Sequence, residues 1–471
     1  LSDPASLLAR FRHRDHTQGS LLVSVLVLSL PSIVTSTVAF GLFLVVDLRF
    51  IGQLGPEAVA ASGATNETLR QFFFLLAFGI NVTCQMMIAR LVGESRTRDA
   101  EHVAGQTIVL ALTLALAGLV AGLLYPRELL SWVARDPQVI ELGAIYLRIT
   151  LVTLAAPLLA QAFTSILMGA GDTTTPMLIQ VLCTPLAILA QWLLIFGNLG
   201  LPELGIAGAA LGAAIGGGIG VLLSMWVLFS GRCRVHLRRE HLVPDPRLLG
   251  EMLRHAWSPA LLMLARTSMV FVFMWLAGRL GGKVQAAYTI GLRIEMMTTF
   301  LALPIANTCA TLVGQSLGAR DLDRAQRSIV ATIAVESALL WPLALGIFLG
   351  REALVGLFTR DPEVAAMAAE YLVYSAMILA FYGVYFVSFR TLQAAGDMRS
   401  PTVISVGLAA FLGAPLAWFL SHRGDLGATG MWIANLVYAV ANTALTVGWM
   451  LTGRWTRAHR IPPDTTTAPS S

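Results

Sequence analysis

Apolar residues run along the chain in twelve long blocks separated by short polar stretches. The blocks fall at about 21 to 47, 57 to 88, 101 to 124, 138 to 169, 175 to 197 and 205 to 230, then 252 to 278, 283 to 316, 326 to 349, 364 to 394, 400 to 421 and 427 to 452. A helix needs roughly 20 apolar residues to cross the hydrocarbon core, so every block is long enough, and the longest imply tilt or protrusion. The pattern predicts an all-α polytopic membrane protein with twelve transmembrane helices.

The polar gaps differ in charge on alternate sides. With the N-terminus inside, 19 arginines fall on the cytoplasmic side, from Arg10, Arg12 and Arg14 through Arg90, Arg96 and Arg98 to Arg454, Arg457 and Arg460, against about eight basic residues opposite. Basic loops stay in the cytoplasm, so both termini are expected there, in a multi-pass protein of the inner (plasma) membrane. The organisation that follows is a cytoplasmic N-terminal segment, 1–20, a six-helix lobe, 21–230, an Arg-rich linker, 231–250, a second six-helix lobe, 251–452, and a C-terminal tail, 453–471.

The two lobes repeat each other. Leu167–Pro176 (LMGAGDTTTP) and Leu392–Pro401 (LQAAGDMRSP) share Gly, Asp and Pro at an offset of 225, and the same offset pairs Arg135-Asp136-Pro137 with Arg360-Asp361-Pro362, Tyr146 with Tyr371, Cys84 with Cys309 and Gly93 with Gly318. Six crossings per copy bring the second copy in from the same side, so the lobes should be related by a pseudo-twofold axis along the membrane normal.

Composition narrows the chemistry. Of 471 residues 56% are hydrophobic and 13% charged, which excludes an ordinary soluble enzyme. Of 32 basic residues only Lys283 is a lysine, and it stands outside any Walker frame, so energy must come from a gradient or a partner. The net charge of +5 reads as arginine-rich cytoplasmic loops rather than as a nucleic-acid surface. The sequence lacks HExxH, GxSxG and metal-spaced Cys or His, so an enzyme, a cofactor and a metal are not expected; the cysteines read as structural thiols and Gly205–Gly220 as a close helix-packing stripe. The first apolar block lacks a signal-peptidase pattern and reads as a retained span.

Ionisable residues inside apolar spans are costly and tend to face a cavity or a partner. Here they are Asp47, Glu67, Arg70, Arg266, Arg293, Glu295 and Glu336. Glu67 and Arg70 share a helical face at i, i+3. A local repeat offset of 226 brings Glu67 onto Arg293 and Arg70 next to Glu295, which suggests that the second and eighth spans exchange charges across the lobe interface as a gate.

Asp47–Ala61 (DLRFIGQLGPEAVAA), Met168–Pro176, Leu194–Gly197 with Gly205–Gly212, Ala286–Glu295 (AAYTIGLRIE) and Val313–Ala319 (VGQSLGA) together resemble the multidrug and toxic compound extrusion (MATE) family, over nearly all twelve spans. The last two stretches and the GAGDTTTP turn look more like the bacterial branch related to DNA-damage-inducible protein F. The resemblance implies two lobes around a V-shaped cavity and antiport of organic, often cationic, drugs against protons or sodium. Asp47 matches that branch's first-span proton-coupling carboxylate, and Pro31 the region where related first spans bend. Gln191 stands where relatives often carry a fifth-span Asp, so the acid network of the first lobe is expected to be incomplete. Arg266 or Thr267 and Tyr382 stand where the sodium-coupled branch has acids, which argues against that kind of sodium site.

The reading is a monomeric, proton-driven efflux antiporter for small organic substrates, embedded in the lipid bilayer. Asp47, or second Glu295, binds a proton and releases it when substrate binds, because a carboxyl removed from water favours its neutral form and a cation beside it favours the charged one. Phe43, Phe72, Met263, Tyr288, Met296, Phe381 and Tyr385 would offer adaptable apolar contact, with Glu67, Arg70 and Arg293 at the cavity or gate. The alternatives are sodium-coupled drug antiport and a flippase for a lipid-linked oligosaccharide, whose pyrophosphate would need Arg70, Arg266 and Arg293.

Overall fold

The computed structural model describes residues 20–38, 43–54, 70–131, 137–231, 233–422 and 426–456. Glu67, Arg135-Asp136, nearly all of the N-terminal segment and most of the C-terminal tail lie outside the described residues. Among the described residues there are helices and no strands. The first lobe contains α1 (Leu21–Ser36), α2 (Phe43–Gly52), α3 (Gln71–Gly93), α4 (Thr97–Leu124), α5 (Pro126–Ser131), α6 (Pro137–Val152), α7 (Ala155–Ala170), α8 (Thr174–Phe196) and α9 (Ile206–Phe229). The second contains α10 (Pro246–Leu280), α11 (Gly282–Gly318), α12 (Leu322–Gly356), α13 (Pro362–Ala394), α14 (Arg399–Leu408), α15 (Ala414–His422) and α16 (Gly427–Leu451). The helices form two lobes, and among the described residues they supply ten spans long and apolar enough to cross a membrane, or eleven with a bent pair counted as one. The fourth span is α6 and α7, bent by 45°. The eleventh is α14 and α15, joined through a π-helical turn at Ala409–Gly413.

Local chemistry sets where helices start. Asp245 and Asp361 cap α10 and α13, each accepting two backbone N–H groups of the first turn, Asp321 caps α12 by accepting from the Arg324 N–H, and Pro246 and Pro362 occupy first-turn positions that need no donor. The repeated Gly-Asp motif is a turn used twice. Gly171 (φ 90°) ends α7 and Gly396 (φ 88°) follows α13 in the left-handed region open to glycine. Asp172 then accepts from the N–H groups of Thr174 and Thr175 at 3.1 and 2.9 Å, and Asp397 from that of Ser400 at 3.1 Å.

Long apolar side chains such as Leu116 (59% exposed) point outward, as a lipid solvent permits. With apolar groups already in lipid, helix association relies on close packing of small residues. The predicted glycine stripe does this: a Cβ at Gly208, Gly212 or Gly216 of α9 would come within 2.2 to 2.5 Å of α8 atoms.

The lobes meet at the end carrying Arg90 and Arg320. A Cβ at Gly93 would lie 2.1 Å from the Gln315 carbonyl oxygen, and one at Gly318 2.1 Å from that of Arg90, so the repeat-matched glycines let the backbones of α3 and α11 touch. Gln85 Nε2 donates to Thr311 Oγ1 at 3.2 Å across the same seam, and the Thr311 hydroxyl donates to the Met168 carbonyl at 2.9 Å. The first helix of each lobe leans on the other: Val25 and Leu28 of α1 pack with Leu312, Ala331 and Val335, while Met252 and Ala256 of α10 join the core of the first lobe.

Candidate functional site

In the second lobe, α11 presents Glu295 to one stripe of α13. The Tyr371 hydroxyl donates to Glu295 Oε2 at 2.5 Å, the Ser375 hydroxyl to the same oxygen at 3.4 Å, and the Tyr382 hydroxyl to Oε1 at 2.7 Å. Spacings of four and seven residues put these donors on one helical face. Tyr371 is locked by Trp432, whose ring centroid lies 4.9 Å away edge-on, and Tyr288 stacks on Trp432 at 5.9 Å. Glu295 itself is half-buried, and its carboxylate forms no ion pair among the described residues.

In the first lobe, Gln191 Nε2 donates to Asp47 Oδ1 at 2.6 Å and to the Ala209 carbonyl at 3.1 Å. Gln191, the residue on which the first lobe's acid network was expected to be incomplete, thus holds Asp47 directly through its amide. Its Oε1 is buried without a hydrogen-bond partner. Arg70 lies within electrostatic reach of Asp47 and Tyr146, with its guanidinium carbon 4.8 Å from the centre of the Phe74 ring. Asp47 is half-buried and, like Glu295, forms no ion pair among the described residues.

Other expected site residues scatter. Tyr288 and Tyr385 are buried in the core of the second lobe, where the Tyr385 hydroxyl is 3.4 Å from Ser405 Oγ. Phe43 and Met263 are half-buried; Phe72, Met296 and Phe381 are exposed. Pro31 lies inside α1, where it withholds one backbone donor, and the Thr35 hydroxyl bonds the Pro31 carbonyl at 2.9 Å. The structure does not bring Arg293 to an acid: its side chain is exposed and forms no ion pair among the described residues, while Glu295, two residues on, turns into its own lobe. Glu67, the other half of the expected charge exchange, is outside the described residues.

Three further ionisable groups are buried or half-buried in the second lobe. Arg390 is buried, with Nη1 donating to Gln393 Oε1 at 2.8 Å and Nε unpartnered. Arg266 is half-buried with its guanidinium carbon 5.2 Å from the centre of the Phe386 ring. Glu336 is fully buried with both carboxylate oxygens unpartnered. Tyr371, Ser375 and Tyr382 were detectable as a stripe at helical spacing, and Tyr371 as the repeat partner of Tyr146. No cluster of three or more His, Cys, Asp or Glu suited to a metal occurs among the described residues.

Known proteins share this architecture along nearly all of the chain. The family described as MatE matches residues 31–193 and again 259–419, one match in each lobe. "Probable multidrug resistance protein YoeA" of Bacillus subtilis (strain 168) is 26% identical over 397 residues, covering 82% of this chain and 84% of that protein. "Probable multidrug resistance protein NorM" of Thermotoga maritima is 25% identical over 422 residues, covering 88% and 89%. A solved structure described as "Outward-facing conformation of a multidrug resistance MATE family transporter of the MOP superfamily" superposes with a TM-score of 0.85 at 22% identity, covering 98% of this chain and 99% of that one. A second, of a "MOP superfamily transporter from Pyrococcus furiosus", gives 0.84 at 22% identity, covering 96% and 98%. With matches to both lobes and across more than half its length, this chain belongs to the MATE family of membrane transporters, which are not enzymes.

Proposed function

We propose that the protein is a secondary active efflux transporter that exchanges amphipathic or cationic organic compounds for protons by alternating access between its lobes. One observation carries the reading: each lobe holds a carboxyl group whose hydrogen bonds, among the described residues, come from neutral donors. A carboxylate locked to a cation stays ionised, but one held by hydroxyls or an amide can exist in either state, because hydroxyls donate to the charged form and accept from the neutral one. Tyr371, Ser375 and Tyr382 supply such hydroxyls to Glu295. At Asp47, rotation of the Gln191 amide offers the unpartnered Oε1 as the acceptor that a protonated acid needs. Asp47 is the first choice for coupling and Glu295 the second.

The contact between Gly93 and Gly318 supports a route closed at the arginine-bearing end, which the charge bias makes cytoplasmic. Rocking about that seam would open it. The drug-resistance names of the relatives agree with an organic substrate. In proteoliposomes with pH and sodium gradients imposed separately, counterflow of a fluorescent cation should follow the pH gradient. Dependence on sodium alone would reject proton coupling.

A second reading rests on Arg266 and Arg390, neither of which forms an ion pair among the described residues. Two uncompensated guanidinium groups suit a substrate with an anionic headgroup, as a lipid-linked oligosaccharide flippase requires. Scrambling of such a lipid in the absence of any gradient would favour it.

A further inference from the structure

We infer that the arginine-bearing end of the second lobe binds an anionic phospholipid, with its phosphate among Arg254, Arg399 and Arg454 and an acyl chain between α10 and α14. The phosphate site is a cavity of about 420 Å³ whose lining includes these arginines, His255, Asp397 and Trp449. Beside it runs an apolar groove of about 300 Å³ formed by Trp257, Leu261, Val403, Val406 and Gly407. Ser258 and Arg399 border both, so the charged and apolar spaces adjoin.

Charge defines the headgroup. None of the three arginines has an ion-pair partner among the described residues, and Arg454 is steadied 5.4 Å over the Trp449 ring. Asp397 is the one carboxylate among the described residues of the lining, and its oxygens are already engaged by the Ser400 N–H at 3.1 Å and Trp449 Nε1 at 2.8 Å. Three guanidinium groups against one committed carboxylate leave a site for phosphate. A basic pocket between spans at the cytoplasmic surface suits acidic lipid headgroups, and tryptophans favour that depth.

The groove defines the rest of the ligand. Trp257 is 48% and Val403 69% exposed, so the groove opens sideways to where acyl chains run. Free phosphate would fill only the cavity. The site also joins helices that serve both lobes: the Ser258 hydroxyl donates to the Met398 carbonyl at 2.6 Å and ties α10 to the chain entering α14, while Ala256 of α10 abuts Gly79 of the first lobe. A lipid here holds α10 against its own lobe.

The test uses the purified full-length protein in detergent, with dioleoyl phosphatidylglycerol, dioleoyl phosphatidylcholine and inorganic phosphate as separate probes, read by native mass spectrometry. Phosphatidylglycerol should bind at least tenfold tighter than phosphatidylcholine. Because an arginine near an anionic surface is worth about fivefold in affinity, Arg254→Gln with Arg399→Gln should erase most of that preference. Arg454→Gln is the second variant should the pair fail to fold. Gly407→Leu projects into open space, so it should fill the groove and weaken phosphatidylglycerol without changing phosphate binding. Equal binding of the two lipids, or an unchanged preference in the arginine variants, would overturn the inference. So would a silent Gly407→Leu with phosphate competing as well as the lipid, which marks a free-anion site.

Discussion

Arg70 and Glu295 stand at matching positions of the two lobes, separated by the same 225 residues that relate Cys84 to Cys309 and Gly93 to Gly318 along the same helices. Their neighbours match too: Arg70 lies within electrostatic reach of Tyr146, and Glu295 accepts from Tyr371, the two tyrosines again 225 residues apart. The duplicated position thus carries a cation beside one tyrosine and an acid beside the other. The lobes share a scaffold but not a charge, and the first lobe supplies its acid from α2 instead.

Replacement of that acid should separate coupling from folding. Asp47→Asn keeps the shape and a hydrogen-bonding group but removes the titrating proton, so proton-driven counterflow should fall at least tenfold while thermal stability in detergent is unchanged. Gln191→Leu should fall by a similar factor, since a hydrogen bond to a charged group is worth about 1.5–3 kcal/mol. Full activity in both would move coupling elsewhere.

The tyrosines around Glu295 should act as one unit. Tyr371→Phe and Tyr382→Phe each remove one hydroxyl from the same carboxylate, and groups sharing a partner show interaction energies of about 0.5–3 kcal/mol. Transport by the single and double variants should be non-additive, and in a Glu295→Gln background the tyrosine changes should matter less. Simple additivity would show that Glu295 is not their common target.

At the lobe seam, a Cβ added at Gly314 would lie 2.8 Å from that of Ala89. With the helices parted by the ~1 Å that a disulfide's Cβ spacing needs, paired Cys replacements there should cross-link the seam and stop transport, and reduction should restore it. Cross-linked protein that still transports would exclude rocking about this seam. Gly318→Leu should instead disfavour the closed seam, which spin-label distances across it would report.

Outside the membrane, Asp245 caps α10. The backbone N–H groups of Arg247 and Leu248 and the His102 ring hold its carboxyl below the usual range. A carboxyl lowered on folding adds stability above its unfolded pKa of about 3.9 and loses it as pH falls through the folded value. Asp245→Ala should therefore lower the melting temperature at neutral pH and matter progressively less below about pH 4. A deficit independent of pH would contradict this assignment of the cap.

Much of the architecture was legible in the sequence because lipid leaves few choices. Backbone groups in hydrocarbon must close their own hydrogen bonds, so apolar blocks long enough to cross are helices. The Gly-Asp repeat was legible because a left-handed glycine followed by a capping aspartate is local chemistry. The partners of the acids were not. Gln191 reaches Asp47 across 144 residues and Tyr382 reaches Glu295 across 87, distances closed only by how helices tilt and rotate. Apolar periodicity cannot tell a tyrosine facing its own core, as Tyr288 and Tyr385 do, from one facing a solute route, because in lipid both faces are apolar.

The central claim is that a carboxyl in this duplicated scaffold trades its proton for substrate. Proton release on adding a cationic ligand to detergent-solubilised protein in weak buffer, followed with a pH-sensitive dye, tests it without gradients or vesicles. Wild type should release about one proton per ligand bound, and Asp47→Asn or the Asp47→Asn, Glu295→Gln pair should bind with little or no release. Ligand binding by wild type with no proton released, or release undiminished in the double variant, would contradict the account.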